Sequence, residues 1–209
     1  MPRVIAFDVN ETLLDLAPLD PLLGGADARA RWFSQMLQLA FVGGLTNRYV
    51  DFSSAQRAAL EMLGHENADA VLGQMRALPA HPDAAPALER LRDAGLTLAA
   101  LTNSPLDVAH AQLGHAGLAA HFHAILSGDQ VQALKPRPEP YHLVARTFDV
   151  APGDVRLVAA HAWDVSGALA AGCRAAFVRR PGKAPSPLGD PPDVVGDDLL
   201  EVADRILTR

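Results

Sequence analysis

Near its start the chain runs Arg3-Val4-Ile5-Ala6-Phe7-Asp8-Val9-Asn10-Glu11-Thr12-Leu13-Leu14-Asp15. A short apolar run closed by a carboxylate and a polar turn reads as a buried strand over Val4 to Asp8. Open α/β sheets gather their chemistry at the carboxyl ends of such strands. Asp8 therefore stands where a nucleophile would, with Thr12 four residues on.

The same pattern returns along the chain. Leu96 to Leu101 reads as a strand running into Thr102-Asn103-Ser104. Ala124 to Leu126, Val155 to Ala160, Ala175 to Val178 and Val194-Val195 read as further strands. Helical segments lie between them: Ala84 to Ala94 closed by Gly95, Leu106 to Leu113, Pro140 to Phe148, Val165 to Ala171 closed by Gly172, and Asp197 to Leu207. Strands alternating with helices imply right-handed crossovers and a parallel sheet. From Asp20 to about Leu78 the pattern is helical throughout. Ala28, Trp32, Gln35, Met36, Leu39 and Ala40 form a stripe at three-to-four spacing, which Gly43-Gly44 is expected to break. Ala55, Ala58, Ala59, Met62 and Leu63 form a second stripe ending at Gly64, and Ala68 to Arg76 a third helix. Pro79, Pro82 and Pro86 mark the exit. The expected architecture is an α/β, Rossmann-like core with a parallel sheet flanked by helices, from residues 1–14 and 80–209. A small helical cap, residues 15–79, is inserted after strand one. Pro181 to Pro192, rich in Pro, Gly and Ser, reads as a surface loop.

A chain of 209 residues suits one core with a small insertion. Its net charge of −6 argues against a general binder of nucleic acid or anionic membrane. A small anionic substrate stays compatible, because a few local cations decide that. Cys173 is the single cysteine, so no intramolecular disulfide forms, and it reads as a small buried residue. No apolar run approaches the ~20 residues of a membrane span, and no leader pattern opens the chain, so the cytoplasm is the expected location.

Four polar clusters follow four strands: Asp8, Thr102-Asn103, Lys135 in the loop after the third strand, and His161 to Asp164. Each has an ordinary structural explanation on its own, as a helix cap or a solvated lysine. Together they converge on one crevice of a doubly wound sheet. A carboxylate nucleophile splits a hard displacement into two easier steps through an ester. A neighbouring ammonium keeps it ionised. Thr12, Thr102 and Asn103 can orient nucleophile or substrate, and Asp164 can position water or the lysine.

In order and in content these clusters resemble the four motifs of the haloacid dehalogenase (HAD) superfamily, over nearly the whole chain. The branch they resemble is the L-2-haloacid dehalogenases. Lys135-Pro136 followed by Tyr141, Ala162-Trp163-Asp164-Val165 with Gly167-Ala168, and Leu14-Asp15 after the first motif carry that resemblance. It implies that Asp8 attacks the carbon bearing a halogen of a short 2-halocarboxylic acid, giving an ester that water cleaves. Lys135 would hold Asp8, Asp164 would position or activate water, and Thr102 with Asn103 would bind the substrate carboxylate. Trp163 and Phe33 would wall the pocket; Tyr141, Asn10 and Thr12 complete the implied substrate-binding set. No metal or other cofactor is implied, and a homodimer is the assembly common in the family.

The chain also departs from the pattern. Phosphatases of the superfamily carry a second aspartate at Asn10, an extra acid at Ala160, and magnesium. A magnesium-dependent phosphatase is therefore the alternative reading, and a non-catalytic binding protein of the same fold is another. Dehalogenases carry tyrosine at Asn10, and Glu11 replaces the usual glycine. The cap arginine that follows a tryptophan is here Phe33 after Trp32. Arg29 and Arg31 lie on other helix faces, and Arg48 is a further substitute. The fourth motif's serine and asparagine fall on Ala159 and His161. His161 could donate to halide or substrate carboxylate and so partly replace the arginine.

Overall fold

Successive residues of β1 (Val4–Phe7) point to opposite faces of a sheet, and both faces are apolar. Ile5 and Phe7 join one core cluster, Val4 and Ala6 another. A strand buried on both faces belongs at the centre of a parallel sheet. The computed structural model, which describes residues 4–208, places it there. The sheet is six-stranded in the order β3-β2-β1-β4-β5-β6, with every pairing parallel. The other strands are β2 (Thr97–Thr102), β3 (Ala124–Ser127), β4 (Val155–Ala159), β5 (Arg174–Val178) and β6 (Val194–Gly196). The expected Rossmann-like core with a helical insertion after the first strand is the observed architecture. The expected outer limits at residues 1 and 209 lie outside the described residues.

The insertion consists of α1 (Asp20–Leu23), α2 (Ala26–Leu45), α3 (Phe52–Met62) and α4 (Ala68–Met75). The core adds α5 (Ala84–Asp93), α6 (Leu106–His115), α7 (Pro138–Thr147), α8 (Ala162–Ala170) and α9 (Leu199–Leu207). Trp32 and Met36 of α2 pack in the same cluster as Ile5, Leu88 and Ile206; Tyr141 of α7 and Val165 of α8 cover the opposite face. The insertion leaves and returns through paired stems. Leu14 bridges Ala80, Asp15 N–H donates to Pro79 O at 2.9 Å, and His81 N–H donates to Leu13 O at 2.8 Å.

Three local expectations need correction. The helix expected to break at Gly43-Gly44 runs on to Leu45. The glycines answer a tertiary demand: a Cβ on Gly43 would sit 2.8 Å from the Arg48 carbonyl, where the chain turns back. α7 begins at Pro138, not Pro140, because proline suits the first helical position. α8 begins at Ala162, three residues earlier than expected, after an extended His161. Asp164 thereby enters the first turn of a helix. Among the described residues no helix is long and apolar enough to cross a membrane, and Cys173 is a buried free thiol.

Candidate active site

Asp8 follows β1, and its N–H still donates to Val158 O at 3.0 Å, so the sheet holds its backbone. One carboxylate oxygen, Oδ1, accepts from Lys135 Nζ at 2.8 Å. The other, Oδ2, accepts from the Thr12 hydroxyl at 2.6 Å and lies 3.2 Å from His161 Nδ1. Thr12 in turn accepts from Ala160 N–H at 3.0 Å, which ties the β1 turn to the end of β4. Lys135, fully buried, donates also to Leu101 O at 2.9 Å and to Asp164 Oδ2 at 2.5 Å. Its backbone is clamped by Asn103. Lys135 N–H donates to Asn103 Oδ1 at 2.7 Å, and Asn103 Nδ2 donates to Lys135 O at 3.1 Å. The loop after β3 is thus bound to the loop after β2.

Asp164 has no accessible surface, and its second oxygen accepts from the Tyr141 hydroxyl at 2.6 Å. Gly167 makes this arrangement possible. A Cβ there would come within 2.5 Å of the Tyr141 hydroxyl and 2.6 Å of Pro136 Cβ. Only a residue without a side chain lets α8 approach α7 so closely.

His161 lies flat between two rings, stacked on Phe33 (centroids 5.5 Å apart, 10° between planes) and on Trp163 (5.3 Å, 28°). Its Nε2 is 2.9 Å from Glu11 Oε2. Lys183 Nζ bonds the same Glu11 oxygen at 2.6 Å, and Arg29 approaches Glu11 Oε1 at 3.8 Å. Glu11 has φ +61°, a left-handed conformation that favours glycine and costs about 1 kcal/mol in other residues.

Burial alone would raise the Asp8 carboxyl, but the Lys135 charge and the His161 hydrogen bond carry it well below its ordinary range. Glu11 is lowered in the same way by His161 and Lys183, against its burial. Burial pulls Lys135 down, and Asp164 and Asp8 more than restore it, so its ammonium is raised above the ordinary value. Asp164 goes up: burial and the Asp8 charge outweigh Lys135. Burial also opposes the charge of His161, yet its bonds to Asp8 and Glu11 push it up to about 8.

The recess over Asp8 is walled by Phe33 and Phe52 from the insertion, and by Asn10, Thr102, Asn103 and Trp163 from the core; Lys135 and His161 also reach it. The water-accessible space between these atoms is about 10 Å³, enough for about one water molecule. Arg137 fastens the insertion beside it, donating to Asn47 Oδ1 at 2.9 Å and Gly44 O at 3.2 Å, and Tyr49 bonds Asp129.

A family model for a haloacid dehalogenase-like hydrolase matches residues 2–172. The chain belongs to the haloacid dehalogenase-like hydrolases. Many of its relatives are 2-haloacid dehalogenases; a phosphoserine phosphatase of Thermus thermophilus is also similar, 37% identical over 70% of this chain and 61% of that protein. The chain is 32% identical to an (S)-2-haloacid dehalogenase of Xanthobacter autotrophicus over 86% of its own length and 76% of that protein's. It is 29% identical to haloacetate dehalogenase H-2 of Moraxella sp. strain B, over 91% and 92%. The solved L-2-haloacid dehalogenase from Xanthobacter autotrophicus superposes with a TM-score of 0.87 at 27% identity, covering 99% of this chain and 98% of that one.

In this HAD-like hydrolase the site residues read from sequence divide by position. Asp8, Asn10, Thr102, Asn103, Lys135, His161, Trp163 and Phe33 meet at the recess. Tyr141, expected to bind substrate, lies instead behind Asp164, because α7 packs under α8. Thr12, also counted with the substrate, spends its hydroxyl on Asp8 and Ala160. His161 commits both nitrogens to carboxylates, which leaves no N–H aimed at a halide. Asn10 joins a network to Ser104 and Gln112. Among the cap arginines, Arg29 turns to Glu11 and Asp20 rather than into the recess, and Arg48 is exposed.

Sequence reasoning missed Lys183, Gln112 and the role of Glu11. The one signal for Glu11 was its occupation of a glycine position. Among the described residues no three His, Cys, Asp or Glu side chains are grouped to hold a metal ion. Asp164, the acid a magnesium site would need, has one oxygen on Lys135 and the other on Tyr141.

His161 links folding to pH. Its folded value of about 8 exceeds the ordinary 6.5. The stabilisation is therefore complete below pH 6.5 and is lost as pH rises through 8, about 2 kcal/mol in all. Thermal melts should fall by about 4–8 °C between pH 6 and 9 from this group. The fall should shrink in His161→Asn, and an unchanged pH dependence there would refute the assignment.

Proposed function

We propose that the enzyme is a hydrolytic 2-haloacid dehalogenase with Asp8 as nucleophile, acting on a short 2-halocarboxylic acid. Asp8 displaces the halide at C2, the carboxylate becomes an ester, and water then cleaves that ester to release the 2-hydroxy acid. The observation that carries the reading is Lys135 Nζ, buried between Asp8 and Asp164 at 2.8 and 2.5 Å. A fixed ammonium holds Asp8 ionised and aligned. Asp164 and Tyr141 hold the lysine, and Asn103 holds its loop.

The walls support a small substrate. Phe33, Phe52 and Trp163 present apolar surface, and the free space over Asp8 is small. Two donors remain for the substrate carboxylate or the departing halide. Trp163 Nε1–H is buried with no partner among the described residues. Thr102 Oγ1 accepts from Ser104 N–H, which leaves its own hydrogen to donate. Unmet donors in a dry site gain most from a charged acceptor. The reading carries a cytoplasmic enzyme, with a homodimer as its expected assembly.

The test is halide release from chloroacetate, fluoroacetate and both 2-chloropropionate enantiomers in the presence of a chelator. Stoichiometric halide and hydroxy acid are expected from at least one of them. Release from none, with magnesium-dependent hydrolysis of small phosphate esters, would replace the reading with the phosphatase one.

A further inference from the structure

Ester cleavage requires a base beside the Asp8 carboxyl carbon. Asp164 is poorly placed to be that base, because its oxygens bond Lys135 Nζ and the Tyr141 hydroxyl and it has no accessible surface. His161 is better placed, with Nδ1 3.2 Å from Asp8 Oδ2, at the recess.

We propose that His161 is the base that takes a proton from the ester-cleaving water, with Glu11 holding its far nitrogen. The proposal rests on the dehalogenase reading and deepens it. The geometry is that of a supported imidazole. Phe33 and Trp163 both stack on the ring and hold its plane beside Asp8. Glu11 holds Nε2 at 2.9 Å and is itself pinned by Lys183 at 2.6 Å. The chain maintains Glu11 at φ +61°, where glycine would be relaxed. Strain of this kind persists where surrounding contacts over-determine it, and it clusters at working sites.

The charges around His161 time its proton. Asp8 and Glu11 face the ring directly. Lys183 and Arg29 act on it through Glu11, and Lys135 and Asp164 lie beyond Asp8. While Asp8 is a carboxylate, two anions hold the imidazole protonated. Alkylation of Asp8 removes one of them, and burial then favours neutral imidazole. The Nδ1 proton leaves with the halide as the acid of the overall reaction. The Nε2 proton stays on the ring, donated to Glu11, so the free lone pair is the one facing Asp8.

Water adds to the Asp8 carboxyl carbon while Nδ1 takes one of its protons. The bond from that carbon to the alkyl oxygen then breaks, and this oxygen receives the proton from Nδ1 and leaves as the hydroxy acid. The second water proton stays on the new carboxyl group. It passes to Nδ1 and restores the resting pair. Halide, hydroxy acid and one proton are the products of each cycle.

Single-turnover reactions with chloroacetate test this, with chloride, glycolate and intact protein mass followed together. Wild-type protein should release chloride and glycolate in equal amounts. His161→Ala should release one chloride per site and retain the ester mass, with glycolate slowed about 10²–10⁴-fold. Imidazole added to that variant should enter the slot between the two rings and speed glycolate release. Glu11→Gln keeps the ring but loosens it, and should slow glycolate more than chloride and shift the pH profile of ester cleavage to lower pH. Glycolate keeping pace with chloride in His161→Ala overturns the proposal. If that variant fails to fold, an unshifted profile in Glu11→Gln overturns it. Absence of chloride from wild-type protein would sink the dehalogenase reading itself, and the base with it.

Discussion

Asp8→Asn is expected to release no measurable halide, a loss of about 10⁴-fold or more. The amide keeps the shape of the carboxylate but offers neither charge nor a nucleophilic oxygen of comparable strength. The fold should survive the change. Lys135 still meets Asp164 and the Leu101 carbonyl, so its ammonium remains paired in the interior. Circular dichroism should match the wild type. Intact mass after incubation with chloroacetate should show no adduct. Halide release within tenfold of wild type would remove Asp8 from the chemistry and the displacement mechanism with it.

Lys135→Met is expected to damage both folding and activity. Asp8 and Asp164 are held together by one nitrogen with no accessible surface. Removing one partner of a buried ion pair costs about 3–5 kcal/mol, because the other charge stays buried without compensation. For Asp8 the sign of the pH response should also reverse; Asp164, raised already in the wild type, keeps its sign and gains in size. In the wild type the Asp8 carboxyl lies below its ordinary 3.8, so its contribution is present above pH 3.8 and lost as pH falls. Without the lysine, burial and mutual repulsion raise the acids above their ordinary values. Their contribution is then present below about pH 3.9 and lost as pH rises through the raised values. Urea titrations at pH 4.5 and pH 7 should find the variant more stable at the lower pH. Equal stability at the two values would show that the lysine does not hold the carboxylates together.

The strand ends were legible because position in a parallel sheet is a property of sequence order. A short apolar run followed by a polar residue places Asp8, Thr102 and His161 at one edge, and the alternation of strands and helices brings those edges together. Lys135 and Asp164 were legible through the motifs they sit in. What could not be read was which neighbour each side chain would choose. Tyr141 reaches Asp164 because α7 lies under α8 at Gly167, a packing fact with no local signal. Asn103 serves the Lys135 backbone because two loops meet in space. Lys183 lies in a Pro-, Gly- and Ser-rich segment that reads as surface, yet its ammonium returns to Glu11 across 172 positions of sequence. His161 was legible as a pocket residue, but its commitment to two carboxylates depended on where Glu11 turned.

The paired stems at Leu13–Asp15 and Pro79–His81 separate inheritance of chemistry from inheritance of selectivity. The chain departs and returns across one hydrogen-bonded step of about 5 Å, so any segment whose ends lie that close can be grafted between them without re-routing a strand. Asp8, Lys135, His161 and Asp164 all stay behind in such an exchange. Phe33 and Phe52, which close the recess, travel with the graft. A lineage carrying this core can acquire a new lid, and with it new substrates, while the reacting groups remain untouched.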